Sequence, residues 1–312
     1  MNSMTDPAGC SVGEVAQDVD ATPYCSHDCL LQASHPECSH ASICPNSAAH
    51  DGHTLASDSL VNLLEDQLRS SRPNDTGLTP LGKSGRLGIL YKVHLHKTGH
   101  RLVAKGFRKT DLQWLLREES VYDRLQRYQG TSIPVYCGTI YLDKSINQPA
   151  VDEIHYLLLL SWAGEALEDT DIDHEDLIAV DAMVEPQLLS LLRGMHELQV
   201  VHGDTVRRNY LYDANAQRFM LVDFELSRLY NNRPPCNTGL SCQKTRRDNK
   251  GRQKPCMYCG EKLKAVEELH FRFPSTKDAA QSEEIYECNS QVESCRKQRT
   301  HHMGLRRRIA DK

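Results

Sequence analysis

The chain has 312 residues, 39% of them hydrophobic and 25% charged, with a formal net charge of −5. Such a chain is too long for one minimal domain, and its globular but somewhat polar composition allows about one or two domains. Residues 1–75 hold eleven acidic and two basic residues, whereas residues 296–312 hold seven basic residues and one acidic residue. We expect these charged ends to be solvated rather than to form core.

The sequence shows neither a secretion signal nor a membrane span. The stretch that begins at Met1 has no basic region and no apolar run, so it is not a signal peptide. The longest strongly apolar run, residues 156–160, is far shorter than the ~20 residues that a membrane span needs. We therefore expect an intracellular protein, cytoplasmic or nuclear, without a membrane partner. Its twelve cysteines should then be free thiols or metal ligands rather than disulfides.

The N-terminal part of the chain is predicted to contain one short helix. Residues 1–57 are rich in Ser, Asp, His, Cys and Pro and have no sustained apolar period, which predicts disorder. Residues 58–77 follow as a short amphipathic helix and a linker. The leucines at positions 60, 63, 64 and 68 share one helical face, and Arg72–Gly77 then breaks the chain.

Residues 78–230 are predicted to form the main domain, in which strands come first and helices later, an α+β organisation. Its strands are expected at residues 87–95, 101–107, 134–138, 154–160, 210–212 and 220–224. Its helices are expected at about residues 110–127 and 175–198, and Pro186 should kink the second helix or mark a later start. Residues 231–312 form a Cys-rich and basic region with a helix at about 261–270.

Lys105 ends the second predicted strand, and three glycines precede it. A lysine at a strand end is usually solvated, but one that faces a nucleotide can pair with its phosphates. Gly88 lies seventeen residues upstream of Lys105, after Gly82 and Gly85. Glycine lets the backbone approach phosphates where a Cβ would collide, although the same glycines also suit a plain hairpin turn.

Glu118 lies on the first predicted helix of this domain, thirteen residues after Lys105. Apolar residues follow it at +3, +4 and +7, so Glu118 borders the buried face of that helix. A carboxylate in this place can pair with Lys105 and hold it toward phosphates. The alternative is a solvated acidic pair formed by Glu118 and Glu119.

The strongest signal is the order of three polar residues near the end of the domain. Asp204 is followed five residues later by Asn209, and Asp223 comes fourteen residues after that, between apolar neighbours. Asp204 can accept the proton of an attacking hydroxyl, while Asn209 and Asp223 offer oxygen ligands for magnesium beside the phosphates of a nucleotide. Isolated Asp and Asn residues usually only cap turns, but the whole ordered set indicates phosphotransfer.

The stretch Gly82–Leu229 resembles the protein-kinase-like superfamily, and it is most similar to the divergent kinase-like proteins of filamentous fungi. The shared features are a Glu118-x-x-x-Tyr-x-x-Leu helix, a Gln129-Gly-x-x-Ile-Pro-Val-x-x-Gly138 segment and an Asp223-Phe-Glu motif. The resemblance covers near half of the chain. It implies a two-lobed fold with a β-rich N-lobe and a helical C-lobe, and it implies ATP and Mg²⁺ as ligands.

The resemblance also implies a role for each residue of the set. It assigns the nucleotide to Gly82, Gly85, Gly88 and Lys105, with Glu118 orienting Lys105. It assigns the hinge that holds adenine to Ser161, Trp162, Ala163 and Gly164. It implies Asp204 as the catalytic base and Asn209 and Asp223 as ligands of Mg²⁺.

Several positions depart from the pattern of that superfamily. His202-Gly203-Asp204 replaces His-Arg-Asp, Val206 stands where protein Ser/Thr kinases carry Lys, and Glu225 replaces the Gly of Asp-Phe-Gly. Beyond residue 229 there is no Ala-Pro-Glu motif. The peptide-binding half of the C-lobe should therefore be truncated or replaced, which leaves both protein and small-molecule hydroxyl acceptors open.

Two groups of cysteines suggest a metal. Cys236, Cys242, Cys256 and Cys259 could bind one zinc ion tetrahedrally, although only the second pair has the usual spacing and free thiols are the alternative. A second group combines cysteines and histidines near the N-terminus, but its segment offers no predicted core. Its members are Cys25, Cys29, Cys38, Cys44, His27, His35 and His40.

Residues 244–254 contain six basic residues, and such a run is most often a solvated loop. It has no interleaved aromatic residues, so nucleic-acid binding is not favoured.

The leading hypothesis is an ATP-dependent phosphotransferase that transfers the γ-phosphate to a hydroxyl. The alternatives are a pseudokinase or nucleotide-binding scaffold without phosphotransfer, and a zinc-dependent interaction protein that uses the Cys-rich tail.

Overall fold

The fold is given by a computed structural model of the chain. It describes residues 22–34, 44–50, 60–72, 75–84, 88–148, 151–168, 174–213, 218–232, 236, 245–247, 251 and 253–270. Within these ranges the protein combines α-helices with antiparallel strands, which confirms the predicted mixture of helices and sheet. No helix among them is both long and apolar enough to cross a membrane.

A five-stranded antiparallel sheet is the largest element of the structure. Its strands are β1 (Leu78–Ser84), β2 (Gly88–His94), β3 (Arg101–Arg108), β4 (Tyr136–Gln148) and β5 (Val151–Leu160). They lie in the order β1-β2-β3-β5-β4, so β3 is central. The interior of β3 is buried on both faces, whereas β2 alternates buried and half-buried residues, as its period of two predicts.

Helix α4 (Leu112–Arg124) follows β3 through a short 3₁₀ turn at Lys109–Asp111. It buries one face at the spacing of a helical stripe, and this face includes a carboxylate. The buried members are Leu115, Glu118, Val121 and Tyr122. The helix predicted from the sequence at this place is confirmed.

Helix α5 (His174–Glu197) contains Pro186 in its interior and begins twelve residues before it, so the later start considered from the sequence is wrong. The helix is anchored by buried apolar residues on both sides of Pro186, which are Val184 before it and Leu188, Leu191, Leu192 and Met195 after it. Proline has no N–H to donate, but the buried apolar stripe continues on both sides of it and stabilises the helix.

Short strands before and after α5 position the loops of the candidate site. They are β6 (Glu165–Ala166), β7 (Val200–Val201), β8 (Tyr210–Asp213), β9 (Arg218–Leu221) and β10 (Arg228–Leu229). Strands β6, β8 and β9 form one small sheet, and β7 pairs with β10. A 3₁₀ turn at Arg207–Asn209 leads into β8. The strand predicted to reach Phe224 ends at Leu221 instead.

The C-terminal described residues form a hairpin and a helix. Strand β11 (Thr245–Arg247) pairs with β12 (Gln253–Pro255), and helix α6 (Met257–His270) follows. Helix α6 packs against α5 and buries Tyr258, Cys259, Ala265 and Leu269. The predicted helix at residues 261–270 is confirmed and begins one turn earlier.

Three helices precede the sheet: α1 (His27–Ser34), α2 (Ser47–His50) and α3 (Leu60–Ser70). Helix α3 confirms the predicted amphipathic helix. The disorder expected for residues 1–57 does not hold for residues 22–34 and 44–50. Cys25, Leu30 and Cys44 are buried there in one cluster with Tyr91 and Ala104 of the sheet. The segment thus has a core that it shares with β2 and β3 rather than a core of its own.

Candidate functional site

The ammonium group of Lys105 lies at the centre of a buried cluster of charges. Strand β3 places it opposite Leu90 of β2 and Leu158 of β5. Its Nζ donates to Glu118 Oε2 at 2.9 Å and to Asp223 Oδ1 at 2.7 Å. The pairing of Lys105 with Glu118 predicted from the sequence is confirmed, and the alternative of a solvated Glu118 is wrong, because its side chain is only 1% exposed.

Three carboxylates share this one ammonium, since Glu225 Oε2 also lies 3.6 Å from Lys105 Nζ. Burial disfavours the charge of Lys105, but the attraction of the three carboxylates outweighs it and raises the pKa of the amine. Burial raises the pKa of Glu118 to about 7, against the opposing effect of Lys105. Lys105 is therefore held in its charged form, whereas burial shifts Glu118 toward its neutral form.

Asp223 occupies an unusual backbone conformation, with φ at +68°. Burial opposes its charge, but the nearby Lys105 ammonium offsets this and holds the pKa of the Asp223 carboxyl below its usual value. Residues other than glycine adopt positive φ rarely, and such residues concentrate at functional sites. Asp223 comes two residues after the end of β9, and in this conformation its carboxylate contacts Lys105.

His202 connects the loop of Asp204 to the loop of Asp223. Its Nε2 bonds the carbonyl oxygen of Val222 at 3.0 Å, and its Nδ1 accepts the backbone N–H of Asp204 at 3.2 Å. Complete burial lowers the pKa of His202, which favours the neutral ring. A neutral ring with one donor and one acceptor satisfies both bonds, so His202 fixes the two aspartates relative to each other.

Gly203 explains the first departure from the kinase pattern. Its φ is +85°, and a Cβ added there would lie 2.5 Å from the carbonyl oxygen of Leu226. An arginine side chain at this position would meet that backbone, so the local fold requires glycine.

Asp204 and Asn209 lie at opposite ends of one tight loop and contact each other. The amide nitrogen of Asn209 donates to the Asp204 carbonyl at 2.9 Å and to its Oδ2 at 3.3 Å. Arg208 also donates to Asp204 Oδ2, at 2.8 Å. The backbone of Asn209 accepts the N–H of Val222, which ties this loop to the residue before Asp223. The structure thus brings Asp204, Asn209 and Asp223 into one region, as the sequence predicted.

The predicted phosphate-binding glycines are only partly described. Gly85 lies outside the described residues, and Gly82 is exposed in β1 with φ at +67°. Gly88 begins β2 beside Lys105, and a Cβ there would lie 3.2 Å from Lys105 Cγ and 2.7 Å from the Gly106 carbonyl oxygen. Of the two described positions, Gly88 is the one where the backbone lies so close to Lys105 that a side chain would collide.

The predicted hinge, residues 161–164, links β5 to β6 as an irregular segment. Gly164 has φ at +101°, and a Cβ there would lie 2.7 Å from the backbone of Tyr212. Ser161 and Ala163 are buried. The N-terminal segment covers this loop, because Tyr24 stacks on Trp162 with ring centroids 4.7 Å apart and His27 Nδ1 lies 2.7 Å from Ser161 Oγ. Sequence reasoning missed this contact.

Helix α6 supports the Asp204 loop through Glu261, a residue that sequence reasoning also missed. Glu261 Oε1 accepts the backbone N–H of Gly203 at 2.7 Å, and its Oε2 lies 2.7 Å from His196 Nε2 of α5. Arg207 adds a second link, since it pairs with Asp181 at 3.1 Å and donates to the carbonyl oxygen of Leu269. In the sequence, Glu261 showed only as a glutamate at the start of a predicted helix.

We expect Glu261→Ala to destabilise the fold by about 1–3 kcal/mol, because it leaves the Gly203 N–H and His196 without their partner in a buried place. Denaturant unfolding monitored by circular dichroism measures this. Glu267→Ala on the exposed face of the same helix is the control and should change stability little. Equal stability of the two variants would show that Glu261 does not brace the loop.

Two clusters of cysteines could bind a metal such as zinc. In the first, the ligand atoms of Cys236, Cys256 and Cys259 lie within 4.8 Å of one another. The predicted fourth member, Cys242, lies outside the described residues. In the second, the ligand atoms of Cys25, Cys29, Cys44 and His50 lie within 4.8 Å of one another. The second set includes His50, which the sequence analysis did not name. Cys38, His35 and His40 lie outside the described residues.

No family model matches the chain. Among curated proteins, the chain is similar to the meiotic driver SPOK2 of Podospora anserina (strain S), with 31% identity over 226 residues. The aligned region is 70% of this chain and 28% of SPOK2, so the chain spans less than a third of the length of this relative.

Proposed function

We propose that the chain is an ATP-dependent phosphotransferase with a two-lobed, protein-kinase-like fold. The proposal rests mainly on the contacts of Lys105, whose ammonium lies 2.9 Å from Glu118 and 2.7 Å from Asp223. In this interpretation the five-stranded sheet and α4 form the N-lobe. Helix α5 and the loops after it form the C-lobe, and α6 takes the place of the truncated part.

The residues fit a magnesium–nucleotide complex by the chemistry of their donor atoms. Asp223 offers carboxylate oxygens, and Asn209 offers its amide oxygen, because its amide nitrogen already donates to Asp204. Oxygen ligands of this kind suit Mg²⁺. Lys105 and the backbone near Gly88 would hold the phosphates, and residues 161–164 would hold the base.

The proposed chemistry follows from where the side chains lie. When bound, Mg·ATP supplies the γ-phosphoryl group that is transferred to a hydroxyl. Asp204 would accept the proton of that hydroxyl, and Asn209 and Arg208 hold its carboxylate in place. Glu118 would orient Lys105 toward the phosphates. Glu261 would keep the backbone of the Asp204 loop fixed through Gly203.

Millimolar Mg·ATP should raise the melting temperature of the wild-type protein, because a ligand that binds only the folded state stabilises it by mass action. Asp223→Asn should lose most of this shift, since it weakens the proposed metal ligand. Differential scanning fluorimetry measures the effect, with Mg²⁺ in excess of ATP and with EDTA added in the matched control. No shift in the wild type would remove both the enzyme and a nucleotide-binding scaffold.

A second candidate is a nucleotide-binding scaffold without phosphotransfer. Glu225 favours it, because a third carboxylate beside Lys105 replaces the glycine of the kinase motif. A thermal shift with Mg·ATP but no ADP release in the presence of protein and small-molecule hydroxyl acceptors would support the scaffold over the enzyme.

The likeness to part of SPOK2 favours a fungal setting and, as a biological role, participation in meiotic drive. The aligned region is 28% of SPOK2, so the chain would supply one part of such an activity. If meiotic drive requires phosphotransfer by this chain, an allele encoding Asp204→Asn should lose its transmission advantage in a cross. An unchanged transmission advantage for that allele would show that meiotic drive does not depend on phosphotransfer.

A further inference from the structure

Cys25, Cys29, Cys44 and His50 converge although they come from two separate stretches of the N-terminal segment. Cys25 precedes α1 and Cys29 lies in α1, whereas Cys44 precedes α2 and His50 ends it. Their four ligand atoms lie within 4.8 Å of one another, and Cys25 and Cys44 are buried. Three thiols and one imidazole turned toward one point form a complete ligand set of the Cys₃His type.

Two distances between ligand atoms match those of a tetrahedral zinc site. The Nε2 atom of His50 lies 3.4 Å from Cys25 Sγ and 3.3 Å from Cys44 Sγ. A tetrahedral zinc with its usual bond lengths places sulfur and nitrogen ligands about 3.5 Å apart. The imidazole of His50 is therefore already spaced from Cys25 and Cys44 as a bound zinc ion would require.

The groups around the cluster orient it as outer-shell partners do in metal sites. His50 Nδ1 lies 2.7 Å from the carbonyl oxygen of Thr98, which fixes the tautomer that presents Nε2 to the cysteines. The backbone N–H of Arg101 donates to Cys25 Sγ at 3.3 Å, and the amide of Asn46 donates to the same sulfur at 3.5 Å. Such donors stabilise a thiolate, which is the form that binds metal.

We propose that Cys25, Cys29, Cys44 and His50 bind a structural zinc ion. Four protein ligands close the coordination sphere, which is the arrangement of structural rather than catalytic zinc sites. Three soft thiolates with one imidazole select zinc over magnesium or calcium. The inference does not depend on the phosphotransferase proposal.

The zinc site joins the N-terminal segment to the hairpin between β2 and β3. Cys25 donates its backbone N–H to the Arg101 carbonyl at 2.9 Å, and Thr98 holds His50. The segment fixed in this way carries Tyr24 and His27 onto Trp162 and Ser161. Zinc would thus supply the stability that this segment lacks in its own apolar residues, and it would hold the segment on the loop at residues 161–164.

The first experiment is zinc analysis of the full chain, purified in reducing buffer without chelator. His50→Ala should lose about one equivalent of zinc relative to the wild type, whereas His50→Cys, which restores a fourth ligand, should retain it. Cys137→Ala is the control, because Cys137 is buried outside both cysteine clusters. A double variant, Cys256→Ser with Cys259→Ser, removes any zinc bound at the C-terminal cluster and leaves the N-terminal equivalent to be counted alone.

X-ray absorption at the zinc edge in that C-terminal double variant identifies the ligands without disturbing the N-terminal site. We expect three sulfurs at about 2.3 Å and one imidazole nitrogen at about 2.0–2.1 Å. In the same background, His50→Cys should abolish the imidazole scattering while zinc remains.

Three outcomes would overturn the proposal. The first is that His50→Ala retains all of its zinc. The second is absorption with only oxygen and nitrogen neighbours. The third is wild-type protein that contains no zinc and binds none when zinc is added under reducing conditions. The last two use protein with an intact N-terminal cluster, so they decide the question even if a ligand variant fails to fold.

Discussion

Asp204→Asn should lower the rate of phosphotransfer by about 10²- to 10⁴-fold, which is the usual contribution of general acid–base catalysis. The amide can still accept hydrogen bonds from Arg208 and Asn209, so the loop should keep its shape. It cannot take a proton from the acceptor hydroxyl. The ATP-induced thermal shift should therefore remain nearly intact, because Lys105 and Asp223 hold the nucleotide in this proposal. ADP release and autophosphorylation measure turnover, and differential scanning fluorimetry measures binding.

The control for this variant is Asp66→Asn, an exposed aspartate on α3, which should change neither property. If Asp204→Asn turns over as fast as the wild type, the measured activity comes from a contaminant and the scaffold interpretation takes its place. If the variant instead loses the thermal shift, Asp204 acts in binding, and the division of roles between Asp204 and Asp223 is wrong.

Lys105→Met should abolish nucleotide binding and destabilise the fold by about 3–5 kcal/mol. Lys105 Nζ lies within 4 Å of carboxylate oxygens of Glu118, Asp223 and Glu225, and removing one partner of a buried ion pair leaves uncompensated charge. Glu118→Gln in the same chain removes one of these charges. The double variant should regain part of the lost stability without regaining nucleotide binding.

The double-mutant cycle on Lys105 and Glu118 is measured by denaturant unfolding, and nucleotide binding by calorimetry well below the melting temperature. Lys109→Met is the matched control, because Lys109 is exposed just beyond the end of β3. A Lys105→Met protein as stable as the wild type would contradict the buried-charge argument. Wild-type affinity for Mg·ATP in that variant would place the nucleotide elsewhere.

The two effects of Lys105→Met are separable because they have different causes. Stability is lost because the carboxylates are buried in the folded state but solvated in the unfolded state. Binding is lost because a contact to phosphate is missing. Glu118→Gln by itself should therefore weaken binding less than Lys105→Met, since Lys105 keeps its bond to Asp223 at 2.7 Å. The comparison tells whether Glu118 acts on the nucleotide through Lys105.

Much of the central sheet and of the Lys105 site followed from local patterns in the sequence. Strands β2 and β3 were predicted within one residue, because burial of one face gives β2 an alternating pattern and burial of both faces gives β3 a short, largely apolar run. The pairing of Lys105 with Glu118 was also predicted, since helical spacing put Glu118 on the edge of the buried face of α4. Glycine at position 203 was visible in the sequence, but its cause, the approach of the Leu226 carbonyl, was not.

The sequence by itself therefore determined strands β2 and β3, helices α3 to α6 in outline, and the set of polar residues that includes Lys105, Glu118 and Asp223. Only the tertiary structure decided the contacts between distant segments. Glu261 meets Gly203 across 58 residues, and His27 meets Ser161 across 134. The first 57 residues looked disordered because their few apolar residues cannot bury enough surface alone. Against β2 and β3, residues 22–34 and 44–50 complete a shared core and bring His50 to the cysteines. A periodic pattern records which face of a segment is buried, but it does not record which segment covers that face.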